Sequence, residues 1–418
     1  MRDRLAHLAT ALAGLLATAC ASPLVVADNL PSEQDFATIE RGRYLTAVAD
    51  CAACHTDPDS NDQFAGGRPI ETPFGKVVAP NITPDLETGI GSWSDAQFET
   101  AVRLGRDPDG AHLYPAMPFP YYTRMSAQDV RAIRAYLNTI PAVNHSVKSN
   151  QLPFPFNIRA GMAIWDALYF ESGTFQPDAK KSAEWNRGAY LVRGPGHCGA
   201  CHTPKTVLGG DLQHQTLQGY SIQGWFAPNI TGDLELGLGR WSVDDVVAYL
   251  KNGHNRFAGA SGPMAEEVTH SSSRMTDADL HAIALYLKDQ PGTNAAVKPL
   301  AASDPQMVAG GAIYRDLCSA CHAPDGSGVA YLIPNLARAS SVSSREPTSL
   351  LRVVIHGAQT VATPREPTAP AMPAFGWQLS DAQIAAVTTY VRNSWGHAAP
   401  ALSAGDVHKL RANGSEGS

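Results

Sequence analysis

The sequence predicts an all-α fold made of three similar helical units, and three observations support this prediction. The five-residue pattern C-x-x-C-H occurs three times, beginning at Cys51, Cys198 and Cys318. Stretches around the first two copies repeat almost unchanged, and a shorter version surrounds the third. Each unit ends in a segment whose apolar residues recur at helical spacing. With 418 residues, the chain has room for about three domains.

The first residues have the features of a secretory signal. Arg2 and Arg4 form a short basic region, and Leu5 to Ala19 is a mostly apolar run too short to span a bilayer. We predict a signal peptide over residues 1–27 and export to the periplasmic side of the cytoplasmic membrane. Cys20 ends a stretch similar to a lipoprotein cleavage box, so lipid attachment at Cys20 and removal of Cys20 with the signal are alternatives. After residue 28 we find no run long enough for a transmembrane helix, so we expect peripheral membrane attachment.

The first and second units, predicted over residues 28–145 and 181–298, are duplicates. Three signals recur in the same order: an Arg-Gly-x-Tyr-Leu stretch, an Ala-Pro-Asn-Ile-Thr stretch, and a methionine 66 residues after the first motif cysteine. They begin at Arg41, Ala79 and Met117 in the first unit and at Arg187, Ala227 and Met264 in the second.

The third unit, predicted over residues 299–400, is a minimal version of the same fold. Only 54 residues separate Cys318 from Met372, but the order of signals is kept. Ile-Pro-Asn-Leu around Pro334 replaces Ala-Pro-Asn-Ile, and the Pro-Ala-Met-Pro around Met372 also surrounds Met117. We predict a polar tail over residues 401–418.

Each unit is predicted to close with an amphipathic helix. The candidate N-caps are Ser126, Thr276 and Ser380, each followed three residues later by Asp or Gln, as in a capping box or its aspartate variant. One aromatic residue lies in the apolar stripe of each helix. We expect it to pack against a glycine of the helix that precedes the motif, where glycine permits close approach of the backbones. These aromatic residues are Tyr136, Tyr286 and Tyr390.

Residues 146–180 lie in a segment with no counterpart in the other units, and we predict a linking strap there. Leu152 to Phe156 alternates with prolines and must be extended or turning, because proline lacks an amide donor. Phe156 to Phe170 has a helical pattern and is apolar enough to be buried. A partner-docking surface is the alternative role for this strap.

C-x-x-C-H is the attachment signature of a c-type haem. The two thiols add to the haem vinyl groups, and the histidine that follows binds the iron. A single C-x-x-C also occurs in zinc sites and redox disulfides, but three copies, each followed by a methionine in a similar setting, favour haem. We therefore predict three tandem class I cytochrome c domains with three covalently bound haem c groups. The attachment residues are Cys51, Cys54, Cys198, Cys201, Cys318 and Cys321.

A histidine and a methionine are the predicted axial ligands of each iron, a pairing that raises the reduction potential. The predicted ligands are His55 with Met117, His202 with Met264, and His322 with Met372. We expect Met125 and Met275 to have packing roles instead. The other nitrogen of an axial histidine is commonly held by a backbone carbonyl. The carbonyls expected in this role are those of Pro80, Pro228 and Pro334.

The remaining features of the sequence exclude several classes of function. The formal charge is −7 and the basic residues are scattered, which gives no support for a nucleic-acid partner. We find no dinucleotide-binding loop and no nucleophile motif, so no organic substrate needs to bind. Two rival functions stay open: a peroxidase-like enzyme with one open haem, and a stand-alone periplasmic multihaem cytochrome. A methionine in every unit argues against the open haem.

The chain resembles the triheme cytochrome c subunits of membrane-bound bacterial dehydrogenases, which serve alcohol, sorbitol, gluconate, fructose and FAD-dependent glucose dehydrogenases. The resemblance covers nearly the whole mature chain. It rests on stretches that begin at Glu40, Ala79, Tyr114, Trp185, Gly196 and Ser394.

This resemblance implies an electron relay that is not itself the catalyst. A separate catalytic subunit carrying flavin, PQQ or a molybdenum cofactor would oxidise a CH–OH donor. The present chain would then pass the electrons to ubiquinone, or to another respiratory acceptor such as a terminal oxidase, at the surface of the cytoplasmic membrane.

Overall fold

A computed structural model of the protein describes residues 35–292 and 298–414. The predicted signal peptide with Cys20 lies outside the described residues, as do residues 415–418 of the predicted tail. The described part of the chain is mainly helical, with short two-stranded sheets.

The first unit contains α1 (Phe36–Val48), α2 (Cys51–His55), β1 (Pro69–Thr72), β2 (Gly75–Val78), α3 (Asp95–Leu104), α4 (Phe119–Tyr122) and α5 (Ala127–Leu137). The strap contains a 3-10 turn (Arg159–Gly161) and α6 (Met162–Tyr169).

The second unit contains α7 (Ala183–Arg193), α8 (Gly199–His202), a 3-10 turn (Gln213–Gln215), β3 (Tyr220–Ile222), β4 (Trp225–Ala227), α9 (Val243–Asn252), α10 (Pro263–His270), a 3-10 turn (Ser272–Arg274) and α11 (Asp277–Lys288). The third contains α12 (Pro305–Ile313), a π-helical turn (Tyr314–Cys318), α13 (Ser319–His322), α14 (Ser340–Ser343), α15 (Thr348–His356), β5 (Ala358–Gln359), β6 (Ala371–Met372) and α16 (Asp381–Val391), and α17 (Ala404–Gly414) follows it.

One helix pairing recurs in every unit: the helix before the motif packs on the closing helix, α1 on α5, α7 on α11 and α12 on α16. A glycine makes each crossing possible. A Cβ atom added to Gly42, Gly188 or Gly310 would lie 1.8, 1.9 or 2.1 Å from a backbone carbonyl oxygen of the closing helix. The expected aromatic neighbour lies at each of these glycines, because the same added atoms would lie within 3.0 Å of the Cβ of Tyr136, Tyr286 or Tyr390.

The predicted N-caps form, but only one of the three closing helices completes its capping box. Ser380 Oγ accepts from the Gln383 backbone amide, and the Gln383 side chain accepts from the Ser380 amide in return. Ser126 accepts a hydrogen bond from the amide of Asp129. The Asp129 carboxylate is used elsewhere, because it binds Arg41 at 2.5 Å. The aspartate variant of the box is therefore only half formed.

The first and second units meet through a symmetric pair of hydrogen-bonded groups, which we call the reciprocal interface. Tyr44 Oη donates to Asp279 Oδ2 at 2.6 Å, and the amide of Thr276 donates to Tyr44 Oη at 3.4 Å. In a capping box, the side chain three residues after the N-cap accepts from the N-cap amide. Here the tyrosine hydroxyl of the other unit accepts from that amide instead. In the opposite direction, Tyr190 Oη donates to Asp129 and accepts from the Ser126 amide.

An arginine completes each half of the reciprocal interface from within its own unit. Arg187 binds both carboxylate oxygens of Asp279, through Nε at 2.8 Å and Nη2 at 2.7 Å. Arg41 uses the same two nitrogens but directs both to Asp129 Oδ1. The third unit has no such set: alignment on Gly310 and Ser380 puts Ala309, Ala312 and Gln383 at the three positions.

The third unit attaches to the second through different contacts. The Phe226 amide, in β4, donates to Ser349 Oγ at 2.8 Å, and Ser349 Oγ donates to the carbonyl oxygen of Phe226 at 3.1 Å. Arg365 Nη2 also lies 3.2 Å from Asp277 Oδ2. The second unit therefore lies between the other two and contacts both.

The strap differs from its predicted burial. Within α6 only Trp165 is buried, and its Nε1 donates to the carbonyl oxygen of Leu208 at 2.9 Å. Ile164 and Leu168 are 68% and 61% exposed. A helix forms within the predicted stretch but covers only Met162–Tyr169. One of its apolar faces points to solvent, since composition does not determine which face meets the core.

The segment predicted as a polar tail contains α17, which packs on α16. Val407 and Leu402 are buried there, and Arg411 binds Asp381 at 2.8 Å. The larger apolar residues of this segment, Leu402, Val407 and Leu410, pack in or against the third unit's core. Over the described residues, no helix combines the length and the hydropathy needed to cross a bilayer.

Candidate haem-binding sites

Each C-x-x-C-H pattern folds as a short helical turn. The first forms α2 completely, while α8 and α13 begin immediately after Cys198 and Cys318. Two residues three positions apart lie on one face of such a turn. The local fold thus presents both thiols of a motif together and directs the histidine that follows at the end of the helix.

A backbone carbonyl fixes the tautomer of every motif histidine. The carbonyl oxygens of Pro80, Pro228 and Pro334 lie 2.8, 2.6 and 3.2 Å from Nδ1 of the first, second and third motif histidine. Because a carbonyl can only accept, Nδ1 carries the hydrogen and Nε2 keeps a free lone pair. These three prolines are the ones that the sequence analysis expects in this role.

Burial lowers the pKa of His55, His202 and His322, and the hydrogen bond to the proline carbonyl opposes the shift in each case. Burial disfavours the charged imidazolium more than the hydrogen bond favours it. All three side chains are therefore neutral at physiological pH, which is the form that binds a metal.

The candidate methionines occupy two kinds of surroundings. Met117 packs against the first unit's core, beside the fully buried Met125. Met264 and Met372 line a large cavity instead. Met275 lines the same cavity, although it is 3% exposed and belongs to the second unit's core. Geometry thus leaves Met275 as a neighbour of Met264 at the second motif.

That cavity has a volume of about 830 Å³ and joins the three motifs. Cys198, Cys201 and His202 line it from the second unit, as do the corresponding three residues of the third. Cys54 reaches it from the first. Most of the other lining side chains are apolar, including those of α9, α15 and α16. Cofactor-binding pockets are typically lined by apolar side chains and contain a few polar groups.

Trp241 offers a test of whether this cavity fits haem. Its side chain is buried and lines the cavity, yet its Nε1–H has no hydrogen-bond partner among the described residues. Buried donors are nearly always paired. A haem carries propionate groups that accept hydrogen bonds, so the orphaned donor, the paired thiols and the apolar walls all fit that cofactor. Haem would supply one-electron redox chemistry there.

Sequence reasoning missed two kinds of residue near these sites. The first is the tyrosine pair of the reciprocal interface, Tyr44 and Tyr190. The repeated Arg-Gly-x-Tyr-Leu stretch and its loss from the third unit were the available signals. The second is a pair of acidic groups that line the cavity, Asp50 and Glu267. Nothing in the spacing of these acids along the chain indicates that they meet.

Comparison with known proteins finds a family model and several relatives that match this chain. The cytochrome c family model matches residues 39–141 and 307–395. The gluconate 2-dehydrogenase cytochrome c subunit of Pantoea cypripedii is 40% identical over 397 residues, which cover 90% of each chain.

Two further relatives also match most of this chain over most of their own length. The cytochrome c subunit of alcohol dehydrogenase (quinone) from Gluconacetobacter polyoxogenes is 39% identical over 406 residues, covering 92% of this chain and 86% of the relative. The fructose dehydrogenase cytochrome subunit of Gluconobacter japonicus is 36% identical over 416 residues, covering 92% and 85%.

Proposed function

Because the chain belongs to the family of cytochrome c subunits of membrane-bound dehydrogenases, we propose that it relays electrons from a dehydrogenase catalytic subunit through three covalently bound haem c groups. The observation that carries this proposal is the shared cavity, which is lined by Cys54 of the first motif and by both cysteines of the second and third motifs. Haems held at its walls would be close neighbours, as a relay requires.

In this proposal the three units are tandem class I cytochrome c domains over residues 28–145, 181–298 and 299–400. The repeated crossing of two helices at a glycine supports this division, and so does the position of each motif next to that crossing. The family model matches within the first and third units. The second is supported by its sequence identity to the first and by its matching helix order.

The chain's own residues have defined tasks in this relay. Two cysteines of each motif attach the haem, and the neutral motif histidine binds its iron through Nε2 while a proline carbonyl holds Nδ1. Met117, Met264 and Met372 are the proposed second ligands. Trp241 Nε1 would donate to a propionate at the second motif, and the apolar walls would exclude water.

The proposed donor is a catalytic subunit carrying flavin, PQQ or a molybdenum cofactor. Relatives named as parts of gluconate, alcohol and fructose dehydrogenases support a donor that oxidises CH–OH groups. We propose ubiquinone, or a terminal oxidase, as acceptor. We also propose peripheral attachment at the periplasmic face of the cytoplasmic membrane after export.

A visible redox titration of the purified protein tests the relay, with haem quantified by pyridine haemochrome. We expect three haems per chain, each with the weak far-red band of methionine-ligated ferric iron, and slow cyanide binding at all of them. Fewer haems would refute the three-domain assignment. Rapid cyanide binding at one haem, together with efficient peroxide reduction, would instead favour a haem enzyme.

A further inference from the structure

Two carboxyl groups lie in the cavity between the first and second motifs, and neither is a proposed attachment or axial residue. Glu267 lies in α10, and Asp50 lies in the turn that joins α1 to α2. Both line the cavity, as do Cys54 and Cys201. We propose that Glu267 is a redox-linked proton site, which binds a proton when the haem at the second motif is reduced and releases it on oxidation. This inference rests on the proposed function only in requiring a redox-active haem there.

Hydrogen bonds hold the carboxyl of Glu267 against the turn after α10. Ser272 Oγ lies 2.7 Å from the carbonyl oxygen of Leu250, which can only accept, and 2.9 Å from Glu267 Oε2. Ser271 Oγ donates to the carbonyl oxygen of Val48 at 3.2 Å. A serine hydroxyl has one hydrogen and two lone pairs. Ser272 Oγ can therefore donate its hydrogen to an ionised Glu267 or, while it donates to Leu250, accept one from a protonated Glu267, so the site accommodates both protonation states.

Burial disfavours the ionised form of Glu267. It raises the pKa of Glu267 to about 7, although hydrogen bonds from Ser272 and Ser271 oppose the shift. An acid of this pKa exchanges its proton near neutral pH. Its protonation state is then sensitive to a change of one charge nearby.

Charged groups of the first unit and of the turn after α10 face this site. Burial raises the pKa of Asp50 well above its ordinary value, and Glu267 and Glu266 raise it further, while Arg68 and Arg274 oppose them. Arg68 is also paired with Glu266 at 2.7 Å. Burial therefore disfavours the ionised form of Asp50 as well as that of Glu267.

The second unit contributes its motif thiols and one phenol. Burial raises the pKa of Cys198, Cys201 and Tyr249, and the Glu267 carboxylate adds to the shift in each case. Glu267 is therefore within electrostatic reach of both thiols through which the second haem is proposed to attach. An electron placed on a haem attached through these thiols would therefore act on Glu267 as well.

The proton and the electron balance one for one. A single electron from the partner dehydrogenase adds one negative charge beside Glu267, and a like charge raises the pKa of a carboxyl. Glu267 then takes one proton from solvent and becomes a carboxylic acid. By linkage, protonation favours reduction by the same factor. Glu267 is itself only partly shielded from solvent and lines the cavity, so solvent protons can reach it.

Potentiometric titration of the full-length holoprotein between about pH 5 and about pH 9 tests this site. We expect the midpoint potential of one haem to fall as pH rises through neutrality, with a limiting slope of tenfold in the equilibrium constant per pH unit, about 59 mV. The Glu267→Gln variant keeps a donor for Ser272 Oγ but cannot titrate, so this slope should vanish. Glu266→Gln is the matched control on the same helix and should keep the slope.

A second measurement reads the proton directly. Redox difference infrared spectra should show a carboxylic-acid C=O band that appears on reduction and is absent in Glu267→Gln. A slope that survives in Glu267→Gln, or a potential independent of pH in the unaltered protein, would overturn the proton site alone. Loss of haem from the second motif, read by pyridine haemochrome, would overturn the proposed function together with it.

Discussion

At the scale of single residues, two methionines at the second motif are candidates for the same role, that of second ligand to the haem iron. Both Met264 and Met275 line the cavity, but Met275 belongs to the buried core and Met264 lies on the first turn of α10. A thioether held by core packing is less free to turn toward a metal.

We expect Met264→Leu to abolish the far-red band of one haem and to lower its potential, because methionine ligation raises it. Met275→Leu should retain all bands and lose less than about 1.5 kcal/mol of stability, as volume-conserving core exchanges do. Absorption spectra of the ferric proteins distinguish the two. The assignment is wrong if Met275→Leu is the variant that loses a band.

Tyr44 is the second residue whose role depends on a single atom. Its hydroxyl links two elements of another unit, whereas the hydroxyl of Tyr136 makes no hydrogen bond among the described residues. Tyr44→Phe should lower the free energy of unfolding by about 1.5–3 kcal/mol, the range for a hydrogen bond to a charged group. Urea denaturation measures this, with Tyr136→Phe as the control. An equal loss in both variants would mean that the hydroxyl of Tyr44 contributes nothing.

At the scale of elements, the glycine crossings hold each motif in place. A Cβ at Gly42 would lie 1.8 Å from the Ala132 carbonyl oxygen, far inside van der Waals contact, so α1 and α5 would have to separate. We expect Gly42→Ala to cost at least about 1–3 kcal/mol through overpacking. Gly161 meets nothing within 4 Å and has helical backbone angles, so Gly161→Ala is the control. Thermal unfolding compares them, and similar midpoints would contradict the crossing model.

Local signals in the sequence were enough to predict most of these elements. The helical turns at the motifs, the N-caps Ser126, Thr276 and Ser380, and the proline carbonyls beside the histidines all depend on residues close in the chain or on repeats. The reciprocal interface could not be predicted, because Tyr44 and Asp279 are 235 positions apart. The exposed face of α6 escaped for another reason: its apolar pattern shows that a helix forms, but not which neighbour covers it.

At the scale of the whole molecule, the second unit is central. It contacts the first through the reciprocal interface and the third through β4 and the shared cavity. Any relay through the proposed haems therefore passes the second motif, which is also where Glu267 lies. Substitutions in the second unit should therefore affect electron transfer between it and each of its two neighbours.

The reciprocal interface also makes the stability of the protein depend on pH in the acidic range. Burial acts to raise the pKa of Asp279, but hydrogen bonds from Arg187 and Tyr44 outweigh it, so the pKa lies below its ordinary value of 3.8. The stability that Asp279 contributes is complete above that value and is lost as pH falls through the lower pKa of the folded state. Asp279→Asn should thus be less stable than the unaltered protein at neutral pH, and the difference should shrink below about pH 4. Denaturation curves at both pH values measure it, and a difference independent of pH would count against this contribution.

The same interface bears on ancestry. Tyrosine of one half binds aspartate of the other, and the reverse pair repeats the contact, which is how the surfaces of a two-fold symmetric homodimer meet. Two such subunits joined end to end by a connecting segment would become the first two units of this chain, with the strap as the join. The third unit lacks the tyrosine, the arginine and the aspartate, so it takes no part in this two-fold arrangement.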